Sequence, residues 1–223
     1  ENRVTVDLQP FLHEFAALLR EAERTAEAAG IDPMAVDFDS CCHGIFRLEL
    51  IEAVHLGHSL NKELSREDRT AAIERAIAST TLLRERETEA GCSRDEAAAH
   101  LAAAGRLACP LLAERRCAIL GHRPLRCRSG IDPATAARMQ ETIRMASRQV
   151  FLALTGEFSP EAVMRFSIFD TVSGRFVQQY FQMMLANPAM RVALVGNDRS
   201  RRPRYLPHEA CAVVRVIILP PAR

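Results

Sequence analysis

The chain has 223 residues, 48% of them hydrophobic and 26% charged, and 29 Lys and Arg against 28 Asp and Glu leave a formal net charge of +1. That length fits one domain with a real core, or two small ones. The charge balance excludes a strongly basic nucleic-acid binder or an acidic solvating tail, and 5% aromatics with no Trp argue against base-stacking surfaces. No apolar run reaches the roughly 18 residues of a membrane span, so no membrane partner is expected.

From Asp7 to Ala29, Leu8, Phe11, Leu12, Phe15, Leu18 and Leu19 recur at spacings of three and four, which predicts an amphipathic helix closed by Gly30. An irregular stretch follows from Met34 to His43, then a helix from Phe46 to Leu60. Ser65-Arg66-Glu67-Asp68 opens another helix running to about Ala90. Ser93-Arg94-Asp95-Glu96 is a capping box that starts an Ala-rich helix ending at Gly105. Leu107 to Gly130 reads as a loop. Asp132-Pro133 then starts a helix that runs to Thr155, with the Asp side chain as cap and Pro in the first turn. Ser159-Pro160-Glu161 repeats that signal, and helical periodicity continues past a break near Gly174 to Leu185. Arg191–Val195 and Cys211–Leu219 are rich in Val and Ile and can pair as a short C-terminal β-hairpin around the Gly196-Asn197-Asp198 turn. The expected fold is mostly α: a single helical domain over 1–223 with an irregular cysteine-rich metal loop.

The seven cysteines are too sparse and too odd in number for a secreted disulfide scaffold, and no secretory signal pattern opens the sequence. The expected setting is the reducing cytoplasm. Cys41 and Cys42 are adjacent in one irregular segment, and Cys109, Cys117 and Cys127 follow in a second as C-x7-C-x9-C. Thiolates are soft anionic donors for zinc and iron, and two such segments can converge on one centre. Arg115, Arg116, Arg123, Arg126 and Arg128 lie in the same loop and would offset an anionic thiolate site. Adjacent cysteines point apart in extended chain, so a cluster accepts both more readily than a single zinc ion does. This favours an iron–sulfur cluster, [4Fe-4S], over zinc, with one of Cys41 and Cys42 free to be a non-ligand.

Cys41-Cys42-His43-Gly44, Cys109-Pro110-Leu111-Leu112, Cys117-Ala118-Ile119 and Arg123-Pro124-Leu125-Arg126-Cys127-Arg128 resemble the YkgJ-type cysteine-cluster family. That family carries a CxxCxxCC segment followed by a C-P-[FL]-L … C-x-I-[YF] … R-P-x-x-C-R segment. The resemblance implies a zinc- or iron-chelating domain, with metal-binding segments at 41–44 and 109–128. The family's first two cysteines are replaced by Ala35 and Phe38, and Leu120 stands where an aromatic is usual. A related motif occurs in flagellin lysine methylases. No Gly-rich strand-to-helix turn for adenosylmethionine is present here, so that activity is not carried over.

His43 and His122 are candidate replacement ligands or donors to the sulfurs, as Arg123 and Arg128 are. Cys92 and Cys211 read as small buried residues, and the His55/His58 pair as part of an amphipathic helix. The leading expectation is a metal-binding protein with a structural, redox or metal-handling role. The alternatives are an enzyme that uses the cluster for modification chemistry and a helical interaction domain without metal.

Overall fold

The computed structural model describes residues 7–33, 42–155 and 165–186. Seven α-helices carry most of the described chain. Helix α1 is Gln9–Ala28, α2 Leu50–Glu63, α3 Arg66–Ala90, α4 Arg94–Ala103, α5 Pro133–Thr155, α6 Ile168–Val172 and α7 Arg175–Ala186.

Two three-residue strands organise the bundle. Strand β1, Arg47–Glu49, leads directly into α2. A later strand, Arg165–Ser167, leads directly into α6 and pairs antiparallel with β1, with Leu48 opposite Phe166 and Glu49 opposite Arg165. Each strand's last residue caps the helix that follows. Glu49 and Glu52 form a reciprocal capping box, and the Ser167 hydroxyl accepts from the Asp170 backbone N–H at 3.0 Å. The Phe46–Leu60 expectation therefore starts its helix too early: capping at Glu49 holds the preceding residues extended. Likewise, Arg165–Ser167 is strand within a stretch expected to be helical. The Ser159-Pro160-Glu161 start signal and the C-terminal hairpin lie outside the described residues.

Helix α2 is central and packs against α1, α5 and α6. Its Ile51, Ala53 and Leu56 meet a core that includes Phe15, Leu83, Ile143, Val150, Phe166 and Phe169. Burying an aliphatic or aromatic side chain of this size contributes about 1.5–3 kcal/mol each. Ser65 and Ser93 cap α3 and α4 through their hydroxyls, as the sequence predicts. Gly91, in the left-handed conformation, ends α3.

The expected metal loop at 107–130 is an ordered strap instead. Strands β2 (Leu112–Ala113) and β3 (Arg116–Cys117) form a hairpin, and two 3-10 turns follow at Leu120–His122 and Leu125–Cys127. Numbered in chain order, the strand at Arg165–Ser167 is β4. The hairpin turn is Glu114-Arg115, both at positive φ (49° and 58°). That backbone matches a two-residue turn with both central residues left-handed, a position usually taken by Asn and Gly.

Candidate functional site: a thiol-lined cavity and an adjoining groove

The strap is held down by backbone and arginine. His43 and Ala108 form an antiparallel bridge; the Cys109 N–H donates to the Cys42 carbonyl at 2.7 Å and the Gly44 N–H to the Leu107 carbonyl at 3.4 Å. Arg123, only 2% exposed, donates from Nε to Leu120 O (2.9 Å), from Nη1 to Cys127 O (3.0 Å) and from Nη2 to Pro33 O. Arg128 pairs with Glu23 of α1 and donates from Nε to Arg123 O at 3.1 Å. The two arginines of the R-P-x-x-C-R segment thus clamp the strap's two 3-10 turns to each other and to the end of α1. Pro124 fixes its own φ and keeps Arg123 extended, so the guanidinium reaches three carbonyls at once.

Cys42, Cys109, Cys117 and Cys127 line one small, largely enclosed cavity of about 20 Å3. That is space for about one water molecule. Phe46, Leu111, Ile119 and Ile168 complete a mostly apolar wall, and Arg123 with Pro124 closes it. Among the described residues, Cys42, Cys92, Cys109, Cys117 and Cys127 take part in no disulfide. Cys41 lies outside the described residues, as does Cys211.

This geometry corrects the metal expectation. Among the described residues, no group of three or more His, Cys, Asp or Glu is arranged so that it can hold a metal ion. Cys42, Cys109, Cys117 and Cys127 share their cavity wall with aliphatic and aromatic carbon, and thiols in such surroundings pack as small hydrophobes. The zinc, iron–sulfur and [4Fe-4S] assignments, and with them the cysteine-cluster and metal-partner readings, are not upheld. Nor do the two histidines supply ligands. His43 is exposed beside the strap, and the His122 ring lies 5.8 Å from His55, with Nε2 3.6 Å from Glu63 Oε1. Cys92, expected to be a small buried residue, is half-buried and stands apart from the cavity, its Sγ 3.9 Å from Arg86 O.

Two titratable groups lie under the strap: Glu52, which the sequence did not single out, and His55, which it read only as part of an amphipathic helix. Burial raises the Glu52 carboxyl to about 7, against opposing hydrogen bonds from the backbone at Glu49 and Leu125; the second bond ties α2 to the turn that carries Cys127. Burial lowers His55 to about 4, with His122, His58 and Arg128 adding in the same direction. Phe15 meets the His55 ring edge-on at 5.0 Å.

Beside the cavity runs an open groove of about 420 Å3. One bank is the chain Gly44–Arg47 and the other the α4 face of Asp95, Ala98, Ala99 and Ala102. Phe46 lines both spaces, and the Arg126 guanidinium lies over its ring at 4.8 Å. A Cβ placed on Gly44 would lie 3.9 Å from the Ala102 Cβ, so small residues on both banks keep the groove open. Arg47 Nη2 meets Asp95 Oδ1 at 3.2 Å at its rim. The sequence signal for this groove is the alanine spacing on α4, Ala98 and Ala102 four residues apart on one face.

Compared with known proteins, the chain matches no family model, no curated protein and no solved structure. The YkgJ-type resemblance therefore finds no family match, and the described geometry removes the metal site it implied. Among the described residues no helix is long and apolar enough to cross a membrane.

Proposed function

We propose that this chain is a helical interaction domain without a metal site, and that the groove between Gly44–Arg47 and α4 receives a short extended segment of a protein partner. The observation that carries the reading is the groove itself: about 420 Å3, floored by alanine and glycine, with an exposed ion pair at its rim. A volume of this size accepts one or two apolar side chains, and the rim supplies both signs of charge for orienting a peptide backbone. A single domain over 1–223 in the cytoplasm fits this reading, since seven sparse cysteines do not make a secreted disulfide scaffold.

The test is a display selection of random peptides on the full chain, followed by titration of the selected peptide. Ala102→Leu fills the groove and should weaken binding at least tenfold, whereas Ala103→Leu, on an exposed part of the same helix, should leave it unchanged. Equal binding to both variants would defeat the proposal.

A further inference from the structure

We propose that Cys42 and Cys109 form a redox-modification site, in which a peroxide converts the thiol pair to a reversible disulfide between the 42–44 and 107–109 segments. The inference does not depend on the groove's occupant.

Register carries it. The His43–Ala108 bridge is flanked by the Cys109 N–H to Cys42 O bond and the Gly44 N–H to Leu107 O bond, so Cys42 and Cys109 stand opposite each other at the next position. Residues opposed in this hydrogen-bonded register have Cα atoms about 5.5 Å apart. Disulfides span Cα separations of about 4.4–6.8 Å. Both side chains line the same cavity. The other two thiols lack this relationship: Cys117 is opposed to Leu112, and Cys127 sits in a 3-10 turn. They are half-buried where Cys42 and Cys109 are buried, which puts the oxidant's way in on their side.

The chemistry balances with hydrogen peroxide as the two-electron oxidant. One sulfur of the pair attacks a peroxide oxygen, the O–O bond breaks, and the departing hydroxide takes the thiol proton to leave as water. The resulting sulfenic acid is attacked by the second sulfur. The S–S bond forms, the S–O bond breaks, and the hydroxyl leaves with the second thiol proton as another water. A reducing thiol reverses the step by exchange.

The test exposes the full chain to stoichiometric hydrogen peroxide, blocks remaining thiols, and maps tryptic peptides without reduction. The expected product joins peptide 25–47 to peptide 107–115, two hydrogens lighter than their sum, and dithiothreitol releases it. The link should persist in Cys41→Ala and vanish in Cys42→Ala, with circular dichroism checking that each variant is folded. A link that needs Cys41, a link from Cys109 to Cys117 or Cys127, or oxidation of Cys92 at equal rate with no link would overturn the assignment.

Discussion

The Cys109 backbone N–H reaches the Cys42 carbonyl at 2.7 Å, and this bond helps close two segments distant in sequence onto one cavity. The sulfurs there behave as parts of a packed wall. Cys109→Ala removes one buried heavy atom and should lower stability by about 1 kcal/mol. Cys109→Ser sets a strongly polar hydroxyl into that wall and should lower it by about 1–3 kcal/mol. Urea unfolding of the two variants checks the order. Equal and much larger losses for both would mean that a bond to sulfur itself had been broken.

Arg123 has a larger role in stability. Its three donors serve carbonyls at Leu120, Cys127 and Pro33. Hydrogen bonds to a charged group contribute about 1.5–3 kcal/mol each, and Lys cannot reproduce the planar fork. Arg123→Lys and Arg123→Met should both cost more than about 3 kcal/mol, seen as a fall in the urea midpoint. A change below about 1 kcal/mol would show that the strap does not depend on this clamp.

Glu52 and His55 set opposing pH dependences. Burial raises Glu52 from 4.5 to about 7, so the folded state holds the extra proton between those values and stability falls as pH rises across that window. Burial lowers His55 from 6.5 to about 4, so the unfolded state holds the extra proton and stability rises with pH across that window. From about pH 4.5 to 6.5 the two slopes cancel, and the parent protein should be nearly flat. Glu52→Gln should uncover a rise of order 2–3 kcal/mol, and His55→Asn a fall of similar size. Denaturant titrations at several pH values measure both.

How far the sequence reveals this fold depends on how local each signal is. Ser65 and Ser93 cap their helices through bonds spanning three residues, so their starts are legible. The Asp132-Pro133 start is equally local, since the Asp132 carboxylate accepts from the Ala134 and Thr135 N–H groups at 3.0 Å. Strands β1 and β4 are three residues long, too short to display alternation, and they exist because residues 116 apart pair as Glu49 and Arg165 do. The β2–β3 hairpin escaped because Glu114 and Arg115 occupy a turn that normally announces itself with Asn and Gly. As for the site, motif spacing in sequence singled out Cys42, Cys109, Cys117 and Cys127, which the fold places on one cavity. Of the apolar residues between them, Leu111 and Ile119 lie in the same strap, whereas Phe46 and Ile168 come from two other stretches that no spacing rule joins to it.

That hairpin turn gives a prediction of its own. Non-glycine residues at left-handed φ cost about 1–2 kcal/mol each. Replacing Glu114 by Asn and Arg115 by Gly should therefore stabilise the protein by about 1 kcal/mol or more and raise Tm by a few degrees. A lower Tm would mean that the two side chains contribute contacts that outweigh the backbone strain.

The cavity is a site of thiols and carbon. Native mass spectrometry of the full chain, purified without oxygen and paired with elemental analysis, tests this most directly. The predicted result is the mass of the reduced polypeptide with no stoichiometric zinc or iron. One equivalent of zinc, or iron with inorganic sulfide, retained by the parent chain and lost in Cys109→Ser would contradict it.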